Sequence, residues 1–322
     1  MRRMPAILLT LLILLGAGMA LAEKTTMSVM DTILSFKQEI PGKAALDNLA
    51  IRARQELGTG IRQVTWRWEQ RKFLAEVTFG ATLAPETILK DTSGRFRAVT
   101  GQAEYPYLLS LPEHYDPGRA YPMLLFLHGI GERGGDPSVI ADYGPFQYIL
   151  AGGAPDMIVI APQVEKTAHW VEDAEENEVD TQMARLQVFM QQMQHTYPID
   201  ESRIYLTGLS MGGRGAWKLA CAMPGTFAAV AICCGRAGVW DQPEQLLYDL
   251  RSLADTPVWL FHGLSDRTVD PDHALRGMEQ LLALNPSGDF RLTLYPAVGH
   301  DCYAHAYRDD SLYAWLSARR KN

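Results

Sequence analysis

From residue 104 onward, short apolar runs alternate with longer stretches whose apolar positions recur at helical spacing. Strand-like runs fall at 123–127, 157–160, 204–207, 227–233, 258–261 and 292–295, each followed by turn residues. Between the second and third runs, Met183, Leu186, Phe189, Met190 and Met193 line one face of a helical pattern over 179–197, so that segment is expected to be a crossover helix with its methionines in the core. Strands alternating with helices point to an α/β fold, a mostly parallel sheet with helices on both faces. Leu246, Leu247, Leu250 and Leu253 give the segment between the fourth and fifth runs the spacing of a single amphipathic helix. With only residues 234–256 available there, no large lid domain is expected.

The first hundred residues read differently. Arg2 and Arg3, the apolar run 6–15 and Ala20-Leu21-Ala22 have the order of a signal peptide over 1–22. A membrane span needs about 20 apolar residues, and Gly16 and Gly18 interrupt this run well short of that. Export is therefore expected, to the periplasm or the extracellular space, with no stable membrane span after cleavage. Residues 23–100 form an N-terminal extension of unassigned role. Two amphipathic helices are expected over 28–40 and 43–57, separated by Pro41-Gly42 and closed by Gly58-Thr59-Gly60. Strands are expected over 61–79, where Val64, Trp66 and Trp68 alternate. The part with the α/β pattern is then 101–322.

Composition fits a folded protein: 47% apolar and 21% charged residues in 322. A net charge of −7, with no basic block beyond Arg319, Arg320 and Lys321, gives nothing to neutralise a phosphate backbone, so nucleic acid is not an expected partner. The four cysteines, Cys221, Cys233, Cys234 and Cys302, allow three complete pairings or buried free thiols. No Cys-x-x-Cys or His-Glu-x-x-His occurs, so neither metal nor organic cofactor is expected. The oligomeric state is not legible.

Candidate chemistry centres on Gly208-Leu209-Ser210-Met211-Gly212, which directly follows one strand and opens a helix. That is the setting in which a Gly-x-Ser-x-Gly motif presents a nucleophile on a sharp turn, with small flanking residues allowing the close approach. A serine hydroxyl needs a base. Of eight histidines, His300 lies after the last strand, whereas His128 and His262 precede glycine at strand ends, where imidazoles brace loops. His305 falls on the following helix, and His114, His169, His195 and His273 lack a strand-end position. The base needs an acid to fix its tautomer. Asp266 is best placed; Asp270 and Asp272 compete, although Pro271 suits them to a solvated helix start. An oxyanion needs fixed donors. Backbone N–H groups of Ile130 or Gly131, in the loop after the first strand, and of Met211 are in position to supply them. Glu132, Arg133 and Asp136 in that loop either meet substrate or form a local ion pair.

Leu-His-Gly-Ile-Gly-Glu-Arg-Gly at 127–134, Ala-Pro-Gln at 161–163, Trp170, Ile-Tyr-Leu-Thr-Gly-Leu-Ser-Met-Gly-Gly at 204–213, Phe-His-Gly-x-x-Asp at 261–266 and Tyr-Pro-x-x-Gly-His at 295–300 occur together. The set resembles the secreted bacterial carboxylesterases of the α/β-hydrolase fold related to dienelactone hydrolases, polyhydroxybutyrate depolymerases and feruloyl esterases, a group often labelled predicted peptidases. It covers about residues 104–320. The resemblance implies Ser210 as nucleophile, Asp266 as acid, His300 as base and an oxyanion loop starting at Gly129. It also implies substrate-binding Gln163 and Trp170 near the mouth of the site. Residues 23–100 have no match in it, and Cys233-Cys234 stand where such proteins are small and Gly-rich. The expected activity is hydrolysis of short-chain or aromatic acyl esters, on small molecules or polymers. A serine peptidase with the same triad and a non-catalytic binding protein on this fold are the alternatives.

Overall fold

A strand whose every residue is apolar has to be covered on both faces, and the run expected over 123–127 lies inside such an arrangement. The computed structural model describes the backbone of residues 33–36, 60–69 and 72–80 and the chain over 95–171 and 181–321. The leader-like segment 1–22 and the helix expected over 43–57 lie outside the described residues.

The strands, in chain order, are β1 (Ile33–Phe36), β2 (Gly60–Glu69), β3 (Lys72–Gly80), β4 (Arg97–Val99), β5 (Tyr107–Ser110), β6 (Tyr121–Leu127), β7 (Ile158–Pro162), β8 (Ile199–Leu209), β9 (Ala229–Cys233), β10 (Gly238–Val239), β11 (Gln242–Leu246), β12 (Val258–Gly263) and β13 (Phe290–Tyr295). The helices are α1 (Pro145–Leu150), α2 (Thr181–Thr196), α3 (Met211–Ala222), α4 (Asp272–Leu284), α5 (Cys302–Ala306) and α6 (Asp310–Ser317). Among the described residues, the main sheet runs β1-β3-β2-β13-β12-β9-β8-β6-β7-β5-β4. Its middle, from β13 to β7, is parallel, and the pairs outside that block are antiparallel. All six strand-like runs of the sequence lie in the parallel block.

Alternation along β6 divides the core. Met123, Leu125 and Leu127 belong to a cluster with residues of α2, α3 and α4, whereas Leu124 and Phe126 belong to one with α1, α5 and α6. Met183, Leu186, Phe189, Met190 and Met193 of α2 are buried in the first cluster, as their spacing predicts.

Two expectations are corrected. Residues 33–36, within the stretch expected to be helical over 28–40, are strand β1, paired antiparallel with β3. The helix expected through Leu246, Leu247, Leu250 and Leu253 is absent. Leu246 closes the β10–β11 hairpin opposite Gly238, Leu247 is exposed, and Leu250 and Leu253 are buried from a short 3-10 turn capped by Asp249. Leucines three or four apart satisfy a single 3-10 turn as well as an α-helix, and pairing to Gly238 takes Leu246 out of the helical register.

Candidate active site

The C-terminal ends of the parallel strands carry the candidate chemistry. β8 ends at Leu209 and α3 begins at Met211, so Ser210 alone makes the turn, at φ 53° and ψ −116°. A non-glycine residue there is strained. The turn is held by the Ser210 N–H donating to the Cys233 carbonyl (2.9 Å) and by close backbone packing on either side. A Cβ on Gly208 would lie 2.2 Å from the Gly212 carbonyl oxygen, and one on Gly212 would lie 1.9 Å from that of Leu127. Gly212→Ala is therefore expected to force α3 away from β6 and to destabilise the protein by about 1–3 kcal/mol or more, read as a lowered urea midpoint with unchanged m-value.

Three loops meet at Ser210. Its Oγ is 2.8 Å from His300 Nε2, and His300 Nδ1 is 2.8 Å from Asp266 Oδ2. His300 follows β13 and is partly exposed; Asp266 follows β12 and its side chain is buried. Asp270 and Asp272, the competing acids, bear no contact to His300: Asp270 Oδ1 accepts the Asp272 N–H at the start of α4. His262, expected to brace a loop, does so. Its Nε2 faces two acceptors, Asp266 Oδ2 (3.2 Å) and the Val269 carbonyl (3.0 Å), which places the proton on Nε2.

The loop after β6 forms a 3-10 turn over Ile130–Glu132. The first N–H groups of such a turn, and of α3 at Met211, have no intrahelical acceptor, so Ile130, Gly131 and Met211 carry donors of the kind an oxyanion needs. Ile130 is half exposed at 52%. His128 anchors the loop base: Nδ1 donates to the Gly129 carbonyl (2.6 Å) and Nε2 accepts the Val164 N–H (3.2 Å). Burial lowers its pKa to about 4, which keeps the ring neutral at pH 7. Gln163 and Trp170, expected to contact substrate, are fully buried. Gln163 Nε2 donates to the carbonyls of Glu132 (2.7 Å) and Asp136 (2.9 Å), and Trp170 Nε1 donates to that of His128 (2.8 Å). Both support the loop from behind. Arg133 donates to the carbonyls of Ile130 (3.0 Å) and Ala168 (3.2 Å), and Asp136 caps the Ser138 N–H, so these charges fasten the loop to itself and to the 168 segment.

The Esterase family model, described as "Putative esterase", matches residues 100–276, more than half of the chain. This chain belongs to the Esterase family.

The Esterase-family chain is 26% identical over 168 residues to a protein named probable feruloyl esterase C from Aspergillus terreus, a match that takes in 51% of this chain and 60% of that protein. It thus spans less than two thirds of that relative's length. Among solved structures, a thermostable esterase aligns with a TM-score of 0.56 at 26% identity, covering 80% of this chain and 72% of the other. The feruloyl esterase module from Clostridium thermocellum, as its S954A mutant with sinapinate, aligns with a TM-score of 0.55 at 16% identity, over 71% and 92%. The Esterase-family chain has the α/β-hydrolase fold, as its sheet order and these alignments agree.

Electrostatics in this Esterase-family site are dominated by Asp266. Burial alone would raise its pKa, but hydrogen bonds from His262, His300 and the N–H groups of Val269 and Thr268 outweigh it and hold the carboxyl well below the usual carboxylate range. A carboxyl depressed on folding adds stability above its unfolded value of about 3.9, and this is lost as pH falls from there through the folded value. Asp266→Asn is expected to be less stable than the native chain at pH 7 and to lose less stability between neutrality and pH 2. Parallel denaturant melts at the two pH values would measure both.

All four thiols are free. Cys233, Cys234 and Cys302 are buried, and burial pushes the first two well above the ordinary thiol range and Cys221 up to about 11. Thiols so protonated are poor nucleophiles.

Proposed function

We propose that this chain is an exported serine hydrolase that cleaves carboxylic esters with short-chain or aromatic acyl groups through a Ser210–His300–Asp266 triad. The single observation that carries the reading is the continuous hydrogen-bonded chain from Ser210 Oγ through His300 to Asp266 on a strained strand-to-helix turn. His300 takes the Ser210 proton as the hydroxyl attacks the ester carbonyl, and the resulting oxyanion is met by the N–H groups of Met211 and of Ile130 or Gly131. His300 then returns the proton to the leaving alcohol. Water, activated by the same imidazole, hydrolyses the acyl-enzyme. Asp266 stays ionised throughout, orienting the ring and stabilising the imidazolium.

The acyl preference is supported by the names of the relatives and by the modest cover over the site. The chain from Cys234 to Pro257 forms only the β10–β11 hairpin and a 3-10 turn, which offers little apolar wall for a long acyl chain. Export rests on the order of residues 1–22 and is tested by the mature N-terminus, expected at Glu23.

Activity should be compared on aryl esters from acetyl to palmitoyl, on feruloyl and acetyl-sugar esters, and on an amide matched to the best ester. The expected result is a kcat/KM maximum at short or aromatic acyl groups, negligible amide cleavage and no jump when substrate forms an emulsion. A steady climb to palmitoyl would overturn the acyl assignment, and comparable amide cleavage would make the chain a peptidase.

A further inference from the structure

Glu132 is the one carboxylate of the oxyanion loop that faces inward, with only 6% of its surface exposed. A carboxyl buried in a glycine-rich surface loop is costly unless hydrogen bonds compensate. Its carboxyl lies against the N–H groups of Gly129 and of Glu132 itself, at the two ends of the 3-10 turn, and its Oε2 is buried with no partner, so burial, only partly offset by those N–H groups, raises its pKa. The side chain folds back toward Gly129, the residue that starts the turn, from the position that the third residue of a capping box holds. Gly129 makes room for it: a Cβ there would lie 2.9 Å from Glu132 Oε2 and 2.7 Å from Leu209 Cδ1. The Glu132 carbonyl is in turn fixed by Gln163.

We propose that Glu132 is the positioning residue of the oxyanion loop: by engaging the N–H groups of Gly129 and Glu132, it fixes the turn so that those of Ile130 and Gly131, between them, face the substrate carbonyl. The proposal rests on the esterase reading above. It gives a non-reacting side chain control over a donor pair that matters chiefly in the transition state, so its removal acts on kcat and leaves ground-state binding little changed. Gln keeps an acceptor oxygen at the same reach. Asp keeps the carboxyl but withdraws it by one methylene from Gly129.

The experiment measures kcat, KM and the thermal midpoint of Glu132→Ala, Glu132→Asp and Glu132→Gln on a short-chain aryl ester, with Ser210→Ala alongside. Loss of one aligned donor is commonly worth about 100-fold in kcat, and a fall of that order is expected for Ala and Asp with KM within about twofold. Gln is expected to restore most of kcat. Should the Ala variant not fold, the Asp and Gln pair carries the test. The proposal is overturned if the folded Ala or Asp variant keeps kcat within about threefold of the native chain. It is equally overturned if Gln rescues nothing, or if the loss tracks the fraction unfolded. If Ser210→Ala is inactive while the Glu132 variants are unimpaired, the positioning role alone fails. If Ser210→Ala keeps turnover within about tenfold of the native chain, the esterase reading fails and takes this proposal with it.

Discussion

Ser210→Ala is expected to remain folded, because the change removes one oxygen, while ester turnover falls by about 10⁴-fold or more. The residue has no second role that would confuse the reading: its N–H, which holds the turn to Cys233, survives the substitution. Alanine also tolerates φ 53° no worse than serine. Some rate above the uncatalysed reaction is expected to persist, since the donors at Met211 and on the 129–132 loop remain in place. Steady-state kinetics on a short-chain aryl ester, with circular dichroism to establish the fold, would measure both. Turnover within about tenfold of the native chain would mean that another group does the chemistry.

His300→Ala is expected to cost about as much as Ser210→Ala, and the double variant to be little worse than either. A serine without its base and a base without its serine are equally idle, so the two effects cannot add. Additive losses would show that His300 supports the fold or the substrate and leaves the Ser210 proton to another base. Asp266→Asn should be the milder of the triad changes, because the imidazole still reaches Ser210. It is not expected to be silent, as an amide can present its NH₂ to His300 and favour the wrong tautomer.

Much of this was legible in the sequence because the parallel strands are buried on both faces and announce themselves as short, wholly apolar runs. Positions 204–213 and 258–266 then set the turns where Ser210 and Asp266 sit. What pattern could not convey was depth. Gln163 and Trp170 lie on loops and were expected at the mouth of the site, yet their N–H groups are spent on the carbonyls of Glu132, Asp136 and His128, acceptors that buried donors require. Glu132 was expected to meet substrate or to join a local ion pair, yet it turns inward while Arg133 and Asp136 bond backbone groups. The antiparallel strands β4 and β5 escaped notice because they are short and β5 is buried throughout, without the alternation that marks a strand with one wet face. In the β10–β11 region the leucine spacing fitted two structures, and pairing between Gly238 and Leu246 decided between them.

The central claim, that Ser210 is a nucleophile activated by His300, is tested most directly by reacting the native chain and His300→Ala with a fluorophosphonate and mapping the adduct by peptide mass spectrometry. The expected result is one adduct per native chain, on the peptide carrying Ser210, formed far more slowly or not at all without His300. An adduct on a different residue, or labelling of Ser210 at the same rate in both proteins, would contradict it.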